Sequence, residues 1–124
     1  MSTKPAARVV RRVLIVEDDL DSSELAVAVL AFEGFEPVVA RNGREALDLL
    51  TTGLRPQAIL LDLTMPIMDG REFRIRQRRQ PDIAAIPVII CSAMEPSSAA
   101  DLSAYAVFTK PLDFDALIAI IRSI

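Results

Sequence analysis

The chain has no histidine and no tryptophan, a single cysteine, and only 5% aromatic residues among its 124. Lacking histidine, it lacks the side chain most used for proton transfer near neutral pH. The one thiol, Cys91, cannot close an internal disulfide, and the apolar sequence around it marks it as a small buried hydrophobe with no redox role. No apolar run is long enough to span a bilayer and no signal-peptide pattern opens the chain, so a cytoplasmic protein without membrane contact is expected. Fourteen basic residues against 17 acidic ones leave a net charge of −3, which draws the chain to neither nucleic acid nor anionic lipid. What is plentiful is apolar material: 52% hydrophobic residues at this length suffice for one domain with a sizeable core.

Residues 1–11 mix small, basic and Pro residues without a period and read as a loose N-terminal arm, leaving residues 12–124 for the domain. From Arg12, the run Val13-Leu14-Ile15-Val16 predicts a strand that ends in Glu17-Asp18-Asp19. Asp19 or Asp21 can cap the helix that follows, with Leu25, Val29, Leu30 and Phe32 inward and Gly34 just past its end. Phe35 to Ala40 predicts a second strand. Asn42-Gly43 then opens a helix with Ala46, Leu47 and Leu50 on one face and Gly53 beyond it.

Residues 57–62 form an apolar third strand that delivers Asp62 to the point where Pro66 and Gly70 turn the backbone away. An aspartate there can cap the turn or face a ligand at the carboxyl edge of a sheet. The helix after Asp69-Gly70 carries Phe73 and Ile75 among Arg71, Arg74, Arg76, Arg78 and Arg79, which together read as a solvated face. Ile86 to Cys91 is a fourth strand ending in Ser92, and Glu95 to Ala104 predicts only a short or irregular helix. Tyr105 to Thr109 gives a fifth strand, then Lys110-Pro111. A last helix follows, capped by Asp113, with Phe114, Leu117, Ile118 and Ile121 inward.

Strands apolar on both faces, alternating with helices, predict an α/β doubly wound parallel sheet with helices on both sides. Right-handed crossovers favour the flavodoxin-like strand order 2-1-3-4-5. In that order strands 1 and 3 are neighbours, so Glu17, Asp18 and Asp62 converge on one small cleft. Three crowded acids resist ionising unless a cation neutralises them, and an all-oxygen set suits Mg²⁺, or Mn²⁺, better than zinc. Ser92 and Lys110 leave their strands at the same edge and add a hydroxyl and a mobile positive charge. An aspartate nucleophile, a divalent cation, a hydroxyl and a lysine form a set able to make an aspartyl phosphate.

These residues resemble the receiver domain of two-component response regulators, in motif order over residues 12–124. The stretches that carry the resemblance are Val13 to Asp19, Asp62 to Gly70, Ser92-Ala93 and Lys110-Pro111. The resemblance implies that Asp62 is the phosphoacceptor and that Glu17 and Asp18 hold Mg²⁺, Asp18 as a direct ligand, with the Thr64 backbone carbonyl as a further ligand. It implies a switch role for Ser92, pairing of Lys110 with the phosphoryl group, and a Lys110-Pro111 bond that is often cis. The phosphodonor would be a histidine kinase or histidine phosphotransfer protein, since this chain has no histidine of its own. With no output domain in the chain, the signal would pass to a further protein, the domain itself being a monomer or weak dimer.

The chain departs from the family at two places. Val107 stands where an aromatic switch residue is usual, with Tyr105 and Phe108 nearby, and the stretch from Ser92 to Lys110 is short by about one helical turn. Two other functions fit parts of the sequence. One is a phosphate-independent interaction module on the same fold, docking through the shortened fourth-helix region or the Arg-rich third helix. The other is a haloacid-dehalogenase-like phosphatase, because Asp19-Leu20-Asp21-Ser22-Ser23 superficially matches its D-x-D-x-T/S motif. The chain has no room for that enzyme's cap domain, and Asp19 and Asp21 suit a helix start.

Overall fold

The computed structural model describes residues 10–93 and 96–124, so most of the expected arm lies outside the described residues. Five parallel strands form one sheet: β1 (Arg12–Val16), β2 (Glu36–Ala40), β3 (Ala58–Leu61), β4 (Val88–Ser92) and β5 (Ala106–Thr109). Their order is β2-β1-β3-β4-β5, as the alternation predicts. Four α-helices connect or cover them: α1 (Leu20–Phe32), α2 (Gly43–Thr51), α3 (Gly70–Arg78) and α4 (Phe114–Arg122). Between β4 and β5 the fourth connection is a seven-residue 3₁₀ segment, Pro96–Leu102, in place of an α-helix.

The apolar strands are explained by their two-residue period, which sends successive side chains to opposite faces. Leu14, Val16, Ile59, Leu61 and Ile90 pack toward α2 and α3, while Val13, Ile15, Leu60, Ile89 and Cys91 pack toward α1 and α4. All of β3 and β4 is buried, whereas the edge strand β5 alternates between half-buried and exposed residues. The helix starts follow their caps: Asp19, Asn42, Asp69 and Asp113 each accept a backbone N–H three residues on.

Two helices match the expected inward positions only in part, with Leu30 and Phe73 buried as expected. Helix α1 buries Ser23, Ala26 and Leu30, leaving Leu25 and Phe32 55% and 89% exposed. Because α1 is apolar almost all round, its periodicity could not choose a face; the sheet meets the small residues, which let the helix sit close. Helix α3 buries Phe73 as expected but also Arg74 and Gln77, while Ile75 stays exposed. Arg74 is therefore no part of a solvated arginine face. Among the described residues no helix is long and apolar enough to cross a membrane.

Candidate functional site

Strand register builds the site. Val16 pairs with Leu61, so the residues that follow, Glu17-Asp18 and Asp62, leave adjacent strands side by side. The Asp62 N–H donates to the Val16 carbonyl at 3.0 Å and the Glu17 N–H to the Ala40 carbonyl at 2.9 Å, which fixes both backbones where the acids emerge. On the other side Ser92 pairs with Thr109, and the Lys110 N–H donates to the Ser92 carbonyl at 2.9 Å. The Lys110-Pro111 bond is cis.

Carboxylate oxygens of Glu17, Asp18 and Asp62 all lie within 4.8 Å of one another. Glu17 and Asp62 are buried and Asp18 is exposed, so the cluster has one wet member. The Lys110 ammonium reaches into it, hydrogen-bonded to Glu17 Oε1 and 3.8 Å from Asp62 Oδ2. Burial raises the Glu17 pKa, with neighbouring Asp62 adding to the rise and Lys110 opposing it. Burial also works against the Lys110 charge, but the Glu17 hydrogen bond and the Asp62 charge outweigh it and hold the ammonium above the usual lysine range. Ser92 is buried at the end of β4, and the Thr64 N–H donates to Asp62 Oδ1 at 3.3 Å. The sequence-predicted residues thus share one edge, with no thiolate or imidazole among the clustered oxygens.

A cavity of about 500 Å³ adjoins them, walled by Leu25, Ala26, Pro111, Leu112 and Phe114 and lined also by Glu17, Asp62, Cys91 and Lys110. Burial pushes the Cys91 thiol up to about 12, which keeps it protonated and unreactive beside the acids. Asp19, the nucleophile of the phosphatase alternative, instead holds the start of α1 by accepting from the Ser22 N–H at 2.8 Å.

The loop that carries Asp62 into α3 is pinned at several points. The Gly70 N–H donates to the Leu63 carbonyl at 3.1 Å, and a Cβ on Gly70 would lie 2.2 Å from the Asp62 carbonyl oxygen. The Gly43 N–H donates to the Met68 carbonyl at 2.8 Å, and a Cβ there would meet that oxygen at 2.9 Å. Between them the Met68 N–H closes a three-residue turn on the Pro66 carbonyl at 2.8 Å, with Ile67 at φ 68°. Asn42-Gly43 was legible as a helix start; its use as a seat for Met68 was not, because no local pattern encodes a contact across 25 residues.

The fourth connection is held differently. Arg74 donates from Nε to the Leu102 carbonyl at 2.9 Å, from Nη2 to the Ser103 carbonyl at 2.9 Å and from Nη1 to Gln77 Oε1 at 2.8 Å. Gln77 in turn donates to the Ile83 and Ile86 carbonyls at 2.9 and 3.1 Å. On the surface above, Arg71 donates from Nη1 to both oxygens of Asp101, at 2.9 and 2.7 Å. Neither aromatic near Val107 takes up its place: the Tyr105 hydroxyl bonds Ser123 Oγ at 3.0 Å, and Phe108 packs on the α1 and α4 side of the sheet.

Fold and site together define a flavodoxin-like signalling domain with an acid cluster and a lysine at the carboxyl edge of its sheet. The chain belongs to the response regulator receiver domain family, whose model matches residues 13–122. Response regulator MprA of Mycolicibacterium vanbaalenii is 33% identical over 117 residues, 91% of this chain and 49% of that protein. The chain thus spans about half the length of the curated relatives it matches. Among solved structures, the receiver domain of a signal transduction histidine kinase from Syntrophus aciditrophicus aligns with a TM-score of 0.84 and 32% identity, covering 91% of this chain and 88% of that one. The phosphorylated cyanobacterial phytochrome response regulator RcpA aligns with a TM-score of 0.78 and 28% identity, covering 93% and 91%.

Proposed function

We propose that this domain, residues 12–124, is the phosphoacceptor of a two-component phosphorelay and that Asp62 is the residue phosphorylated. The observation that carries this reading is the cluster of Glu17, Asp18 and Asp62 oxygens within 4.8 Å, with Lys110 bonded to one buried acid and 3.8 Å from the other. The phosphorylated state of RcpA supports it. A carboxylate oxygen of Asp62 attacks the phosphorus of a phosphohistidine on a histidine kinase or histidine phosphotransfer protein. The P–N bond breaks as the P–O bond forms, and the departing imidazole nitrogen keeps the electron pair and takes a proton.

The donor set fits a hard divalent cation: carboxylates alone, one of them exposed and able to exchange water. Glu17, Asp18, Asp62 and the Thr64 carbonyl would hold Mg²⁺ or Mn²⁺, which when bound neutralises charge on the phosphoryl oxygens. Lys110, bonded to Glu17 and 3.8 Å from Asp62, supplies a positive charge beside the acceptor. Ser92, at the end of β4, is the hydroxyl that turns toward the phosphoryl group. The new charge at Asp62 then re-biases Ser92 and the loop after β4, and a further protein in the cytoplasm reads the change. The domain works as a monomer or weak dimer and turns over no substrate beyond its own acyl phosphate.

Incubation with phosphoramidate and Mg²⁺, followed by intact-protein mass spectrometry, tests this. One added phosphoryl group, labile to hydroxylamine and absent from Asp62→Asn or after chelation, is the expected result. A label that survives Asp62→Asn overturns the reading.

A further inference from the structure

Among the described residues two non-glycine residues have φ in the left-handed region, Ile67 at 68° and Ser103 at 52°. The fold accounts for Ser103, because Arg74 holds its carbonyl at 2.9 Å in the α3 clamp. It accounts for the turn at Ile67 as well, since that turn aims the Met68 carbonyl at Gly43. It does not account for the side chain. A β-branched residue is among the poorest choices for positive φ, and glycine, asparagine or aspartate would make the same turn with less strain. The side chain also gains nothing from packing, as Ile67 is 84% exposed. A lone exposed apolar residue is ordinary; one that is also strained, five residues past the reactive acid, is not.

We infer that Ile67 is a docking residue for the protein that delivers the phosphoryl group, its side chain entering an apolar depression beside the donor's phosphohistidine. The inference rests on the phosphoacceptor reading of Asp62. Asp62 is only 8% exposed, so a protein donor must press onto the rim of the site to bring phosphorus to it. The rim formed by residues 63–70 cannot fold aside: hydrogen bonds at Leu63, Pro66 and Met68 pin it, and Gly70 sits hard against the Asp62 backbone. An exposed aliphatic group on that pinned loop, five residues past Asp62, is available to a protein donor that presses onto the loop. Its strained turn holds it ready, so little ordering is needed on binding. A small phosphodonor, entering without a protein surface, has no use for it.

That difference supplies the test. Autophosphorylated cytoplasmic domains of a panel of histidine kinases are screened for transfer to the wild-type chain, and the fastest is carried forward beside phosphoramidate. With the kinase, Ile67→Asn is expected to lower kcat/KM about tenfold, through KM, the size that burial of one aliphatic side chain supports. Ile67→Leu, apolar and unbranched at Cβ, keeps wild-type transfer. With phosphoramidate, both variants label at the wild-type rate, and Ile67→Asn melts no lower than wild type. Loss of both reactions in Ile67→Asn overturns the inference, because the residue then shapes the site itself. Unchanged transfer from the kinase overturns it too, as does a panel in which no kinase outpaces phosphoramidate. Failure of phosphoramidate to label the wild type at Asp62 sinks the phosphoacceptor reading instead.

Discussion

The loop after β3 and the connection after β4 leave the same edge of the same sheet, yet they are held by opposite means. The first is pinned by main chain to main chain, with glycines at positions 43 and 70 removing the side chains that would block contact. The second is a 3₁₀ segment whose far end hangs on one buried guanidinium, Arg74, reaching over from α3. Main-chain pinning leaves almost no freedom around Asp62. The described part of the segment after β4 is held instead by that side-chain tether and by burial of Ala99 and Leu102.

Substitutions can break this contrast. Gly70→Ala should have the largest effect: its Cβ would sit 2.2 Å from the Asp62 carbonyl oxygen, so backbone must move. We expect a loss of about 3 kcal/mol in urea unfolding, and phosphoramidate labelling at least tenfold slower, because the displaced backbone carries Asp62. Arg74→Met should lower stability by about 2 kcal/mol, since the buried Leu102 carbonyl and the part-buried Ser103 carbonyl lose their donor. Labelling at Asp62 should nevertheless stay within about twofold of wild type, as the edge that carries Asp62 does not depend on the clamp. Arg74→Lys should recover only part of the loss, because an ammonium cannot fork onto two carbonyls and Gln77 together. If Arg74→Met slows labelling as much as Gly70→Ala does, the two regions are one mechanical unit.

Smaller effects sharpen the comparison. Arg71→Ala removes an ion pair that lies at the surface, and the unfolding midpoint should not move measurably, in contrast to Arg74 one turn away. Native Cys91, its thiol pushed up to about 12 by burial, should resist iodoacetamide at pH 8 and react only when urea unfolds the chain. Phe32→Ser should change stability by no more than about 0.5 kcal/mol, since that side chain is 89% exposed.

The parts of this protein legible in sequence are those set by short-range rules. Apolar runs of four to six residues, a polar cap before each helix and a strand-end acid are local patterns, and they yielded the strand order and the gathering of Glu17, Asp18, Asp62, Ser92 and Lys110 at one edge. The 3₁₀ segment was foreseen only as a weak helix, because Ser and Ala with little periodicity say what will not form more clearly than what will. Arg74 was misread. Five arginines within nine residues look like one solvated face, and only the carbonyls of Leu102 and Ser103, 28 and 29 residues on, make a buried guanidinium affordable.

By itself, then, the sequence determined the layer architecture and the chemistry at the end of each strand, since burial on both faces of a parallel strand is written in its own residues. Tertiary structure alone decided which face of α1 turns inward, where Gly43 meets Met68, and that one arginine of α3 serves as a clamp while its neighbours stay in water. Those outcomes depend on what stands opposite in space, and the partner of each lies too far along the chain for any local pattern to carry it.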